Sequence, residues 1–202
     1  RKRIKRGQRF KQLGEIYSPS WSPDGKRIVF SATADGITDL WIFDLASGKL
    51  ARLTHDPEAD LQPAWSPDGR RIAFATDRFT TALETFAAGR YRLALIDVES
   101  LAIEPLHAAT KGDDINPQWS PDGKTMYFVS NRSGIPNIYR VPADGGEVVQ
   151  LTDVATGVSG ITRSSASLSI AAQQGNLSFS VFGKGGYDVY VMNPSGREGV
   201  RT

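Results

Sequence analysis

The hydrophobic positions of this chain fall in short bursts rather than along extended faces. Arg27–Ser31 (RIVFS), Arg71–Ala75 (RIAFA) and Thr125–Ser130 (TMYFVS) are runs of branched and aromatic residues, set off by Gly, Pro, Asp and Ser. Runs of this kind predict β-strands. No window sustains apolar residues at i, i+3 and i+4, which disfavours helical repeats. Ahead of each run stands the same string, WSPDG, at Trp21–Gly25, Trp65–Gly69 and Trp119–Gly123. Its proline presets φ, its aspartate suits the second central position, and its glycine accepts the left-handed conformation that follows. The string therefore predicts a hairpin turn.

The repeat extends well beyond that turn. Each copy follows a proline phrase: Ser18-Pro19-Ser20, Gln62-Pro63-Ala64 and Asn116-Pro117-Gln118. A second phrase, Gly36-Ile37-Thr38-Asp39-Leu40-Trp41, recurs as Gly134-Ile135-Pro136-Asn137-Ile138-Tyr139 and as Gly185-Gly186-Tyr187-Asp188-Val189-Tyr190, and predicts a third strand. A third phrase, Arg52-Leu53-Thr54 and Gln150-Leu151-Thr152, predicts a fourth strand; Leu53 follows Gly25 at the same offset as Leu151 follows Gly123. Four short strands per repeat, with Trp21, Trp65 and Trp119 spaced as propeller repeats are, predict the blades of a β-propeller.

The expected architecture is all-β: four visible blades, each a four-stranded antiparallel sheet. Blade 1 spans 15–58, blade 2 spans 59–112, blade 3 spans 113–158, and a degenerate blade 4 spans 159–202. Residues 1–14 form a basic arm and an outer or closing strand. Blade 2 is longer than its neighbours, and the surplus falls at 79–88, a loop carrying Phe79, Leu83 and Phe86. Blade 4 has lost WSPDG, but Leu168–Ala172 and Leu177–Phe182 still read as a hairpin around Gln173-Gln174-Gly175-Asn176. The chain is expected to stop inside that blade's fourth strand.

WSPDGKRIVF, WSPDGRRIAF and WSPDGKTMYF, each with its aromatic third strand, resemble the repeats of TolB-like β-propellers over Tyr17–Thr202. The motif is specific for fold and poor for activity. The resemblance implies six or more blades, about 260 residues or more at roughly 40–45 per blade. Four blades are then a fragment, completed by further blades or by a second copy. It also implies a non-enzymatic scaffold that binds a protein or peptide, within a bacterial envelope or secreted protein, in a periplasmic or extracellular setting. The alternative is the substrate-gating propeller of a peptidase whose catalytic domain lies outside this chain.

Composition sharpens this picture in two places. A formal charge of +2 hides an arm, Arg1–Lys11, with seven basic residues and no acid; the remainder carries 17 basic and 22 acidic residues, about −5. The arm has one aromatic, Phe10, and the acidic body behind it does not extend a basic stripe, so no nucleic-acid partner is expected. There are no cysteines, hence no disulfides and no thiolate chemistry, and no apolar run long enough to span a bilayer.

Candidate chemistry is sparse. No G-x-S-x-G elbow and no H-E-x-x-H occur, so no catalytic residue, metal ligand or cofactor is assigned. His55 and His107 fall at similar repeat positions on different blades. Trp21, Trp65 and Trp119 are expected to wedge between blades, and Gly25, Gly69 and Gly123 to close the turns. Propeller topology brings the segments before the innermost strands to one mouth of the axial channel. Tyr17, Asp60, Gln62, Asp114, Asn116 and Arg163 are therefore the candidate ligand-binding residues, with the two aspartates placed to gather a peptide amine or a basic segment. The competing reading makes the two aspartates loop caps that bind water.

Overall fold

The computed structural model describes residues 10–85, 87, 89–106, 111–160 and 165–201. Blade 1 is built from β1 (Ile16–Trp21), β2 (Arg27–Ala34), β3 (Ile37–Asp44) and β4 (Leu50–Arg52), hydrogen-bonded in that order. Blade 2 repeats the plan with β5 (Asp60–Trp65), β6 (Arg71–Thr76), β7 (Arg92–Asp97) and β8 (Ile103–Pro105). Blade 3 has β9 (Asp114–Trp119), β10 (Thr125–Ser130), β11 (Asn137–Pro142) and β12 (Val149–Gln150). Blade 4 has three strands, β13 (Leu168–Ile170), β14 (Leu177–Gly183) and β15 (Gly186–Met192). The fold is thus all-β, with antiparallel blades in a propeller arrangement.

Each WSPDG string is a turn locked from inside. In all three copies the serine hydroxyl donates to the aspartate at 2.6 Å and accepts the backbone N–H at the start of the next strand at 2.9 Å. The glycine then turns with φ of 67° to 72°, a region that costs other residues strain. Those serine hydroxyls, with backbone N–H groups behind them, hold Asp24, Asp68 and Asp122 below the usual carboxylate range.

Blades pack face to face, and period-two alternation decides which residues meet. Val29 and Leu40 of blade 1 meet Trp65, Ile72 and Phe74 of blade 2. Ala73, Ala75 and Leu93 on the other face of blade 2 meet Trp119, Met126 and Phe128 of blade 3. Tyr127, Val129 and Ile138 in turn meet Leu177, Phe179 and Val181 of blade 4. Trp65 and Trp119 are the expected wedges, 7% and 4% exposed. Trp21 is not: it is 57% exposed, because no described blade packs on that side of blade 1. Phe10 and Leu13 cover part of the same face instead, with the Phe10 ring centroid 5.3 Å from that of Phe43.

The end of the chain departs from expectation. β16 (Val200–Arg201) does not add a fourth strand to blade 4; it pairs antiparallel with β12 on the outer edge of blade 3. A turn closed by Arg197 N–H on the Pro194 carbonyl, followed by Gly199 at φ 63°, redirects the backbone there. The 79–88 surplus of blade 2 forms a loop with one 3-10 turn, Leu83–Thr85, of which residues 86 and 88 lie outside the described set.

Candidate functional site

The innermost strands share one irregularity. β1, β5 and β9 each shift register midway, and the residue at the break adopts a left-handed backbone: Ser18 at φ 47°, Gln62 at 53° and Asn116 at 55°. At Gln62 and Asn116 the bulge swings the side chain toward the next blade. The Gln62 Oε1 accepts from Asn116 N–H at 2.8 Å, and the Asn116 Oδ1 accepts from Ser167 and Leu168 N–H at 2.8 and 2.9 Å. Gln62 and Asn116 therefore form a latch running from blade 2 through blade 3 to blade 4, satisfying backbone groups that burial would otherwise strand.

Asp60 and Asp114 are fully buried at the start of their strands. Both carboxylate oxygens of Asp60 accept from the one Arg78 Nη2, at 2.9 and 2.8 Å, and Asp114 accepts from the Arg132 Nη2 at 2.9 Å. Burial pushes the Asp60 carboxyl up, against the opposing pull of Arg78, while Asp60 in turn keeps the Arg78 guanidinium charged. Each arginine lies over a phenylalanine of its own blade, Phe74 or Phe128. Here the capping reading describes the geometry: these aspartates anchor the loops at the mouth through buried ion pairs. The signal for the arginines is in the sequence, since Thr76-Asp77-Arg78 and Ser130-Asn131-Arg132 follow their aspartates at the same offset in both blades.

The other candidates lie apart. Tyr17 donates its hydroxyl to Glu15 beside a small recess shared with Thr38 and Leu61, and that bond raises its pKa. Arg163 and His107 lie outside the described residues. His55 is exposed. Asp39, Asp56 and Asp60 bring carboxylate oxygens within 4.8 Å of one another, but Arg52 binds Asp39 and Arg78 binds both Asp56 and Asp60. Glu58 beside them is pushed up by burial and by a hydrogen bond with Asp56. Two guanidinium groups already balance most of that negative charge.

What the loops do enclose is a cavity of about 830 Å³ at the mouth, bounded by blades 2, 3 and 4. Leu61, Tyr91, Ile115, Val129 and Val158 supply apolar wall, and Ser159, Ser165 and Ser167 line the side toward blade 4. Among the described residues its charged lining is Asp77 and Asp113, each one position away from a residue of a buried ion pair. Asp77 accepts from Ala59 N–H at 2.9 Å and from the Thr81 hydroxyl at 2.8 Å; Asp113 accepts from Tyr91 N–H at 2.9 Å. Arg92, buried where blades 1 and 3 carry Asp39 and Asn137, donates to the Tyr91 and Gly112 carbonyls and steadies this wall. At the opposite end of the inner strands a second hollow, about 540 Å³, is lined by the repeat tryptophans and by Pro23, Pro67 and Pro121, with no charged side chain.

The arrangement has known counterparts. A family model described as the TolB beta propeller domain matches residues 3–83. The Tol-Pal system protein TolB of Bordetella pertussis is 31% identical over 132 residues, covering 65% of this chain and 28% of that protein. The crystal structure of TolB from Acinetobacter baumannii superposes with a TM-score of 0.73 at 24% identity, over 93% of this chain and 42% of that one. A puromycin-hydrolyzing peptidase from Mycobacterium tuberculosis matches with a TM-score of 0.67 at 18% identity, over 94% of this chain and 31% of that one. The two solved structures speak to the fold alone, and the chain spans less than half the length of each of these proteins. Three WSPDG turns, the blade-to-blade packing and the matched residues 3–83 agree: the chain is built of TolB-like β-propeller repeats.

Proposed function

We propose that this chain is a non-enzymatic propeller scaffold that binds a protein or peptide at its channel mouth, within a larger bacterial envelope or secreted protein. The observation that carries the reading is the 830 Å³ cavity, formed by loops of three blades on a frame of ion pairs and latches that leaves it open. Loops set on a rigid scaffold are where recognition concentrates. Similarity to the Tol-Pal protein TolB supports an envelope setting on the periplasmic side. The reading assigns no bond-making step to this chain.

Selection from a displayed random peptide library tests it. Selected peptides should bind the chain and lose binding to Ser159→Trp, which fills the cavity from the blade 4 side. Equal binding to the filled variant would move the site elsewhere. The likeness in fold to a puromycin-hydrolyzing peptidase favours a second reading, a propeller that gates substrate for a hydrolase domain. In that case, deleting the propeller from the whole protein should change which peptide lengths are cleaved; unchanged length preference would end the second reading.

A further inference from the structure

Building on the binding-scaffold reading, we propose that the mouth cavity takes a positively charged peptide segment, whose ammonium or guanidinium group is received by Asp77 and Asp113. Comparison between blades carries the argument. Asp77 caps Ala59 N–H through Oδ1, and in blade 3 Asn131 performs the same task, its Oδ1 accepting from Asp113 N–H at 2.6 Å. A neutral amide suffices for that cap, so the fold does not require a charge at position 77. Asp113 in turn holds the position that Ala59 holds in blade 2; its Oδ1 caps Tyr91 N–H, a task an amide oxygen also performs. Both carboxylates exceed what the repeat demands, and both face one cavity.

Their surroundings differ from those of the buried aspartates beside them. Asp60 and Asp114 are neutralised by Arg78 and Arg132, whereas the nearest base to Asp113 among the described residues is Arg90 at 4.0 Å, on a side chain 61% exposed and screened by water. No basic side chain lines the cavity among the described residues. The apolar wall of Leu61, Tyr91, Ile115 and Val129 suits the methylene stem of a lysine or arginine, which packs on apolar surface while its head keeps a polar partner. Residues 12–202 carry about −5, so the body around the cavity is opposite in sign to such a segment, although the whole chain is +2.

The test uses three short fluorescent peptides of equal length, one lysine-bearing, one glutamate-bearing and one uncharged, with anisotropy read at low and high salt. The lysine peptide should bind best, and more weakly as salt rises. The double variant Asp77→Asn/Asp113→Asn keeps both Oδ1 caps; it should lose about tenfold or more for the lysine peptide and leave the uncharged one unchanged. Asp188→Asn, an exposed carboxylate on β15, should change neither. If the uncharged peptide binds as tightly and the double variant retains lysine-peptide binding, the charge assignment falls while the scaffold reading stands. Failure of all three peptides on the folded chain would overturn both. Displacement of the lysine peptide by stoichiometric calcium, with calcium binding on its own, would assign the carboxylates to an inorganic cation and overturn the proposal.

Discussion

At the scale of single residues, adjacent carboxylates in this chain have opposite fates. Asp114 is sealed against Arg132, and its neighbour Asp113 faces a cavity. Removing one partner of a buried pair leaves an uncompensated charge, so Asp114→Asn should cost about 3–5 kcal/mol in urea unfolding. Asp60→Asn should cost less, because Arg78 also reaches Asp56 at 3.1 Å. The turn aspartates make a pH prediction. Their folded pKa values are depressed, so the stability they contribute is present at neutral pH and lost as pH falls through those lowered values. Ser66→Ala removes the largest cause at Asp68, and a carboxyl NMR titration should show that pKa rising toward its ordinary value while Asp24 and Asp122 stay put.

At the scale of elements, the repeat specifies interfaces as well as strands. Arg27 lies 4.8 Å over the Trp65 ring and Arg71 lies 5.1 Å over Trp119, so the residue after one blade's turn grips the next blade's wedge. Where blade 4 has lost its tryptophan, blade 3 carries Thr125 in the arginine's place. That arginine–tryptophan contact therefore has no counterpart between blades 3 and 4. Trp119→Ala should cost about 3–5 kcal/mol by removing a buried wedge. Trp21→Ala, on the exposed counterpart, should cost under about 1 kcal/mol by the same measurement. Had sequence equivalence alone governed, the two losses would match.

At the scale of the whole molecule, blades 2 and 3 are packed by a blade on each face, and among the described residues no blade packs on the outer faces of blades 1 and 4. Leu40, Leu93 and Ile138 are buried by the blade that follows, while Val189, at the same repeat position, is 73% exposed and Val191, on the same strand face, is 72% exposed. A strand face of this kind binds apolar probes. Val189→Lys with Val191→Glu should lower anilinonaphthalene sulfonate fluorescence and self-association in sedimentation, with little change in stability. An unchanged signal from that variant would place the accessible apolar surface elsewhere.

Much of this architecture was readable in the chain because turns and strands depend on neighbours in sequence. WSPDG contains its own serine lock and its own left-handed glycine, so each hairpin forms wherever the string occurs. The wedge role of Trp65 and Trp119 was also readable, since period-two alternation sets which face they occupy. Contacts between repeats were not. Whether Trp21 is covered depends on what stands beside blade 1, and β16 joined β12 because an open outer edge lay within reach of a Gly199 turn. Asp60, Gln62, Asp114 and Asn116 were visible as polar residues at the mouth, but their partners stand across a hairpin or one blade over. Burial in a low-dielectric interior committed them to those partners. Asp77 and Asp113, equally acidic in sequence, line the cavity, and among the described residues no buried arginine pairs with them.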